Sequence, residues 1–175
     1  MKEILNSYSN LLVYCDKFWD SVSGKYPQLV KCHAGCSICC ELQSVSAIEA
    51  YFIIQDSKYK ILADAKGQCP FVMNNLCNIY NNRPLICRTH GLIFKSSEFI
   101  DSFSISCPYN FNDPEIEIDE SYIMDIDKVT MKLAHLNLAF CKLIGKTEWV
   151  SQRFQLKNLD HYQFPPDLTR VEENE

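Results

Sequence analysis

The sequence predicts a mainly α-helical fold, with antiparallel N- and C-terminal helices and an irregular cysteine-rich lobe that carries a short β-hairpin. Apolar residues recur at helical spacing near each end of the chain. Eight of the ten cysteines lie between Cys32 and Cys107, where no helical period is sustained. A length of 175 residues suits one compact domain, so we expect a single domain over residues 1–175.

The first helix is predicted over the first twenty residues. Leu5, Tyr8, Leu12, Cys15 and Trp19 recur at intervals of three and four. This spacing stacks the five side chains on one apolar face.

A second long helix is predicted near the C-terminal end, from Asp125 or Asp127 to Gly145, because either aspartate can cap it and glycine commonly follows a helix. Its apolar face consists of Ile126, Val129, Leu133, Leu136, Phe140 and Leu143. Two apolar faces of the same period predict an antiparallel helix pair that forms most of the core.

A third, shorter helix begins at Ser46, where Ser46-Ala-Ile-Glu49 matches a capping box. A short continuation is expected from Lys58 to Ala65, ending at Gly67.

Two turns are predicted in the middle of the chain. Between Gly91 and Ser106, apolar residues at even spacings flank a polar break, which favours a small hairpin. These apolar residues are Leu92, Phe94, Phe99, Phe103 and Ile105. Residues 71–77 are expected to form a second tight turn, because Asn74 and Asn75 tolerate left-handed backbone angles. Residues 166–175 are expected to form a flexible tail.

Composition excludes several functional classes. The net charge is −5 and no cluster of Lys and Arg stands out, so a nucleic-acid partner is not expected. No apolar stretch is long enough to cross a bilayer, and the N-terminus lacks the apolar run of a secretory signal. We therefore expect a cytoplasmic protein with no membrane partner. In a reducing compartment many cysteines indicate metal or redox chemistry, although ten cysteines could also form five disulfides.

The cysteine spacing is typical of metal coordination by thiolates. Cys36 and Cys39 can bind one ion through a tight turn, and Cys69 and Cys77 can face each other across the tight turn predicted at residues 71–77. Region 32–107 is therefore the predicted metal-binding region, for zinc or for iron, including an iron–sulfur cluster. The candidate ligands are Cys32, Cys36, Cys39, Cys40, Cys69, Cys77, Cys87 and Cys107.

The ordered motifs resemble the YkgJ-type CxxCxxCC family of cysteine-cluster proteins, which is named for zinc or iron chelation. The motifs that carry the resemblance are Cys32-x3-Cys36-x2-Cys39-Cys40, Cys69-Pro70-Phe71, Cys77-x-Ile79-Tyr80-x2-Arg83-Pro84-x2-Cys87-Arg88 and Cys107-Pro108. The helices that follow look compatible with bacterial members of full length. A related motif occurs in the flagellin lysine N-methylases, where the resemblance implies an iron–sulfur cluster; this chain is much shorter than those enzymes.

The number of metals stays open at the level of the sequence. Eight thiolates suit two four-ligand sites or one polynuclear site. Because consecutive side chains diverge, we expect Cys39 and Cys40 to serve different metals, or one of them to bridge or stay free. Two zinc ions with eight thiolates leave a residual charge of about −4, which needs compensation.

Four residues are candidates for contacts around the ligands. Arg83 and Arg88 are the expected neutralising cations, with an ordinary salt bridge as the alternative. Tyr80 and His90 are candidates to donate hydrogen bonds to sulfur.

For several other residues the sequence favours an ordinary structural role over metal binding or catalysis. Cys15 and Cys141 are expected to be buried free thiols that act as small apolar side chains. His33 can replace a cysteine ligand, although an ordinary loop hydrogen bond is favoured. A Cys87/His90 nucleophile pair is a further alternative. The acidic residues between Asp113 and Glu120 are expected to form a solvated loop.

Three functions follow from these observations. The leading hypothesis is a metal-binding protein whose site is structural or serves storage, delivery or sensing of metal. The second is an iron–sulfur enzyme or redox protein. The third is an interaction module in which zinc holds irregular loops onto the helices. Any protein partner or small-molecule substrate is unknown from the sequence.

Overall fold

Four α-helices and seven short strands form the regular structure of the chain in a computed structural model, which describes residues 1–55, 59–62, 68–98, 104–105, 107–113 and 115–164. The helices are α1 Lys2–Lys25, α2 Ala47–Ile54, α3 Leu85–Thr89 and α4 Ile126–Leu143. The strands are β1 Ser44–Val45, β2 Val72–Met73, β3 Leu76–Cys77, β4 Ile93–Lys95, β5 Ser104–Ile105, β6 Met124–Asp125 and β7 Phe154–Gln155. Short 3-10 helices span Tyr80–Asn82, Glu120–Tyr122, Thr147–Trp149 and Leu156–His161. The mainly α fold with small hairpins that the sequence predicts is confirmed.

Helix α1 extends five residues beyond the predicted twenty. Its buried residues are Tyr8, Leu11, Leu12, Cys15 and Val22, so the predicted apolar face is largely confirmed. Leu5 and Trp19 are only half-buried against the core.

Helix α4 begins where the sequence predicts it. The Asp125 side chain caps it by accepting a hydrogen bond from the backbone N–H of Lys128 at 3.1 Å. Just past its end, Gly145 has a φ of +68°, which glycine adopts without steric cost. Leu143 is 51% exposed, so its predicted place on the buried face is wrong. The helix has turned that position outward by its last residue.

Helices α1 and α4 pack against each other. The C-terminal end of α1 lies beside the segment that leads into α4, because the Tyr26 hydroxyl accepts a hydrogen bond from the backbone N–H of Asp119 at 3.1 Å. The Tyr26 and Tyr122 rings meet edge to face with centroids 5.5 Å apart. An antiparallel pair requires such a neighbourhood, in which one helix ends where the other begins.

Helix α2 is the most completely buried of the helices, with Ala47, Ile48, Ala50, Tyr51 and Ile53 all inaccessible to solvent. The predicted capping box is present, since Glu49 Oε2 accepts a hydrogen bond from the Ser46 backbone N–H at 3.0 Å. Thus α2 shares the core with the two longer helices, and the pair α1 and α4 does not supply most of it alone.

The predicted hairpin is present, and the predicted tight turn at residues 71–77 joins the strands of a second hairpin. Strands β2 and β3 pair antiparallel around Asn74 and Asn75, whose φ values are 52° and 61°. Strands β4 and β5 pair antiparallel, and β6 adds a parallel neighbour to β4 that the sequence did not predict. Phe99 and Phe103 of the predicted hairpin lie outside the described residues.

A further small sheet joins distant parts of the chain. Strand β1 pairs antiparallel with β7, with Val45 opposite Phe154.

The predicted continuation of α2 lies mostly outside the described residues, and its described part at 59–62 is not helical. The predicted tail at 166–175 also lies outside them. None of the described helices is both long and apolar enough to cross a membrane.

Candidate metal centre

The loop between α1 and β1 presents its cysteines on two consecutive turns. The Cys36 backbone N–H donates to the His33 carbonyl at 3.1 Å, and the Cys40 N–H donates to the Ser37 carbonyl at 3.0 Å. Gly35 sits in the first turn with a φ of +91°, a conformation that side chains rarely adopt. These turns leave the Cys39 side chain exposed and those of Cys36 and Cys40 half-buried.

The hairpin of β2 and β3 brings two more thiols to this loop. The Cys69 N–H donates to the Cys40 carbonyl at 2.8 Å, which fixes the start of the hairpin on the loop. Cys77 stands opposite Val72 across the hairpin, and the Val72 N–H donates to the Cys69 carbonyl at 3.1 Å. The Ser37 hydroxyl reaches the Asn75 side-chain oxygen at 3.1 Å from the other side.

Four thiols form a first group of neighbours, which we call the hairpin set: Cys40, Cys69, Cys77 and Cys87. A hydrogen bond from Cys39 lowers the pKa of Cys40, against burial and the charges of Cys69, Cys87 and Cys77. Desolvation by the surrounding protein atoms raises the pKa of Cys87 to about 12, although part of its side chain stays accessible to solvent. The charges of Cys69, Cys77, Glu49 and Cys39 raise it further.

The other four thiols form a second group, which we call the loop set: Cys32, Cys36, Cys39 and Cys107. Burial raises the pKa of Cys32, a hydrogen bond from Asn110 lowers it, and the charges of Cys107, Cys36 and Cys39 raise it again. Cys39 lies between the two sets, since it donates a hydrogen bond to Cys40 and its charge acts on both Cys32 and Cys87.

Asn110 contacts the loop set at Cys32. It is fully buried, and its side-chain oxygen accepts a hydrogen bond from the Lys31 backbone N–H at 2.9 Å. Its side-chain nitrogen lies 2.9 Å from the Gly91 carbonyl and 3.5 Å from the Cys32 sulfur.

The two candidate cations both bind Asp16 of α1. Arg83 Nη2 lies 2.9 Å from Asp16 Oδ1, and the Arg88 guanidinium pairs with the other carboxylate oxygen. Arg88 also donates to the carbonyls of Asn81 and Arg83 and is 5% exposed. Both arginines therefore form ordinary salt bridges with Asp16, which is the alternative that the sequence left open. Arg83 still acts on the hairpin set, because its charge lowers the pKa of Cys77 against the stronger effect of burial.

Among the residues that the structure describes, neither Tyr80 nor His90 donates the hydrogen bond to a cysteine sulfur that the sequence had suggested. Tyr80 is 61% exposed, and its ring packs beneath the Arg83 guanidinium at 4.1 Å. His90 follows the last turn of α3, and burial lowers its pKa. His33 is exposed, and its Nδ1 lies 2.9 Å from the Ala34 carbonyl, as the loop hydrogen-bond reading expects.

Glu49 connects the core to the hairpin set. Its Oε1 accepts a hydrogen bond from the Leu85 backbone N–H at 3.1 Å, at the start of the helix that carries Cys87. The side chain is 3% exposed. Buried polar groups of this kind fix the relative position of the segments they join.

All ten cysteines are free thiols, so the disulfide alternative has no support in this structure. Cys15 and Cys141 are inaccessible to solvent and belong to the apolar core, as predicted. Burial, followed by the charge of Asp16, raises the pKa of Cys15 to about 11.

The donor set has the chemistry that zinc and iron prefer, since both are held by thiolates, usually four per site. Within the described residues, which include all eight candidate cysteines, no three Cys, His, Asp or Glu side chains form a closed group that could hold an ion. Binding therefore requires the sulfur atoms of each set to converge. Side-chain rotation on turns with exposed thiols is compatible with that convergence.

Sequence reasoning missed three residues around the thiols: Asp16, Glu49 as a partner of α3, and Asn110. Each acts across more than 30 residues of chain. The only available signal was the capping box, which placed Glu49 at the start of α2 but gave no sign of its second partner.

A comparison with known families agrees with this geometry. Residues 31–108 match the model of the CxxCxxCC family, described as "Putative zinc- or iron-chelating domain". No curated protein and no solved structure matches the chain. The match spans both thiol sets and Asn110 lies just outside it. Residues 31–108 of this chain are therefore similar to the CxxCxxCC family.

Proposed function

We propose that the protein binds two metal centres, of zinc or iron, one in the hairpin set and one in the loop set. The observation that carries the proposal is that the backbone gathers the thiols in two places. The Cys69 N–H donates to the Cys40 carbonyl at 2.8 Å, whereas Asn110, three residues after Cys107, lies 3.5 Å from the Cys32 sulfur. We assign Cys39, whose charge acts on both Cys32 and Cys87, to the loop set because the side chains of consecutive residues diverge. Two sets of four thiols match the usual ligand number of zinc and of iron–sulfur sites.

Metal binding closes each set. Zinc–sulfur bonds are about 2.3 Å long, whereas the described side chains form no closed group of three donors. The thiols of Cys32, Cys39 and Cys87 are exposed and can turn inward without breaking core contacts. Closure therefore costs little in packing and expels protons from the thiols, so metal affinity falls as the pH falls.

The centres hold the cysteine-rich lobe onto the helices, and the whole chain acts as one domain in a reducing cytoplasm. The helices have a core of their own in Tyr8, Tyr51 and Phe140, which are fully buried. The lobe has only two-residue strands at its hairpin. A metal supplies the folding free energy that such a lobe lacks, and the exposed thiols suit it to receive or release the metal.

A redox or enzymatic role is the second candidate, and solvent access favours it. Cys87 and Cys39 are exposed, so a centre held there has one face open to a small molecule or an electron-transfer partner. An iron–sulfur cluster in that position would supply one-electron chemistry.

Purification under anaerobic conditions, followed by elemental analysis and an absorption spectrum, tests the proposal. We expect metal in both sets, with the same content in a double variant, Cys15→Ala and Cys141→Ala, that removes only core thiols. Stoichiometric zinc without colour supports the structural or metal-handling role. A brown protein that bleaches with dithionite supports the iron–sulfur role. A protein that holds neither zinc nor iron would contradict both.

A further inference from the structure

We propose that Asn110 is a positioning residue for the loop set: its side-chain N–H donates a hydrogen bond to the Cys32 sulfur and holds Cys32 beside Cys107. This inference rests on the proposed function, since it concerns a sulfur atom that acts as a metal ligand. Asn110 lies three residues after Cys107 and 78 residues after Cys32.

The orientation of the Asn110 amide is fixed by its backbone partners. The oxygen faces a donor, the Lys31 N–H at 2.9 Å, and the nitrogen faces an acceptor, the Gly91 carbonyl at 2.9 Å. Exchanging the two atoms would oppose like groups at both positions. The second N–H of the nitrogen is therefore left to point at the Cys32 sulfur, 3.5 Å away.

Asn110 serves both states of Cys32. As a thiol, Cys32 can donate to the Asn110 oxygen, which lies 3.9 Å from the sulfur. As a thiolate or a metal ligand, the sulfur accepts from the nitrogen. A single buried amide thus keeps Cys32 in place before and after metal binding.

Gly91 makes room for this amide. A Cβ at position 91 would lie 2.8 Å from the Asn110 nitrogen and 3.6 Å from the Cys107 Cβ. Its φ of +87° also disfavours any side chain. Gly91 and Asn110 are therefore complementary, and both lie against the segment that carries Cys107.

A hydrogen bond to a ligand sulfur has effects that mere packing does not have. It stabilises negative charge on the sulfur, which raises the energy needed to transfer an electron from sulfur to metal. Losing contacts around a ligand typically weakens metal binding about 10–100-fold. We expect such a loss in the loop set alone.

The direct test uses the wild-type protein loaded with ¹¹³Cd. A scalar coupling between the Asn110 side-chain amide proton and ¹¹³Cd is expected, because it can pass through the N–H···S bond and the sulfur–metal bond. The second test compares Asn110→Ala with Asn112→Ala, loaded with Co²⁺. Asn112 is an exposed asparagine whose side chain also donates to a backbone carbonyl.

Asn110→Ala should shift part of the thiolate-to-cobalt absorption to longer wavelength and weaken one of two cobalt-binding steps, while Asn112→Ala changes neither. If Asn110→Ala does not fold, the ¹¹³Cd coupling in the wild type decides alone. Bound ¹¹³Cd with no coupling to Asn110 would overturn this inference and leave the proposed function standing. Failure of the wild type to bind either Cd²⁺ or Co²⁺ would instead contradict the proposed function.

Discussion

The carboxylate of Glu49 accepts a hydrogen bond from the backbone N–H of Leu85 at 3.1 Å, in a site where Glu49 is 3% exposed. The other oxygen of the same carboxylate accepts from the Ser46 N–H at 3.0 Å and the Ser46 hydroxyl at 2.7 Å. One carboxylate therefore accepts hydrogen bonds at the N-termini of two helices, since α2 begins at Ala47 and α3 at Leu85. Cys87 lies two residues after Leu85 in α3, so the hydrogen bond between Glu49 and Leu85 connects the core to the helix that carries a thiol of the hairpin set.

Replacing Glu49 should therefore destabilise the protein. Glu49→Ala leaves three buried donors without an acceptor, so we expect the free energy of unfolding to fall by about 3 kcal/mol. Urea denaturation of the purified protein measures the change. Glu3→Gln is a suitable control, because Glu3 is an exposed acid in the first turn of α1. Equal free energies of unfolding for Glu49→Ala and the wild type would show that the hydrogen bonds of Glu49 do not stabilise the fold.

Asp16 is expected to stabilise the lobe through two arginines. Asp16→Asn leaves the buried Arg88 without its carboxylate, while Asp16 itself is 35% exposed and partly screened by solvent. We expect a loss of about 1–3 kcal/mol in unfolding free energy, smaller than for a fully buried pair. The control is Asp20→Asn, one turn further along α1 at an exposed position. If both variants unfold at the same urea concentration as the wild type, the Asp16 pairs contribute nothing measurable.

Acid should weaken the contact between α4 and the turn after β4. Hydrogen bonds from Ser96, at 2.7 Å, and from the Ser97 backbone N–H, at 2.6 Å, lower the pKa of Asp127. A carboxyl whose pKa is lowered in the folded state stabilises the fold above its unfolded value and loses that contribution as the pH falls through the folded value.

The melting temperature of the wild type should therefore drop more steeply below about pH 4 than that of Asp127→Asn. Thermal unfolding followed by circular dichroism between pH 6 and about pH 2.5 measures both curves. Asp20→Asn should retain the slope of the wild type. Parallel curves for the wild type and Asp127→Asn would contradict the assignment.

The two core cysteines should resist alkylation in the native, metal-free protein. Cys15 and Cys141 are inaccessible to solvent, and the raised pKa of Cys15, about 11, leaves little thiolate at neutral pH. Treatment with iodoacetamide followed by peptide mass spectrometry should modify the exposed Cys32 well before Cys15. Denaturant should remove the difference. Labelling of Cys15 as fast as Cys32 under native conditions would mean that α1 does not bury it.

Local signals in the sequence predicted the elements that depend on neighbouring residues. The capping box at Ser46, the cap at Asp125 and the paired asparagines of the β2–β3 hairpin all act within a few residues. Each leaves a composition pattern that can be recognised without knowledge of the rest of the fold.

Elements that join distant segments could not be predicted in this way. Strands β1 and β7 have two residues each and lie about 110 residues apart, so neither has a period to detect. The pairing of Arg83 and Arg88 with Asp16 depends on how α1 packs on the lobe. Asn110 carries no signal at all, because a single asparagine after Cys-Pro-Tyr is compatible with any exposed turn.

The ligand candidates were visible in the sequence, whereas their division was not. Spacing indicates which cysteines can bind a metal, but it does not indicate which of them bind the same ion. The folded chain adds which backbone segments meet: the Cys69 N–H donates to the Cys40 carbonyl, while Asn110, beside Cys107 in sequence, contacts the Cys32 sulfur.

The most direct test of two separate metal sets is a protection map of two adjacent single variants. Cys39→Ser and Cys40→Ser are each loaded with Zn²⁺, treated with iodoacetamide and analysed by native and peptide mass spectrometry. Cys39→Ser should lose one ion and expose Cys32, Cys36 and Cys107 to alkylation, while Cys40→Ser should lose the other ion and expose Cys69, Cys77 and Cys87. Loss of all metal in either variant, or the same protected cysteines in both, would contradict the account.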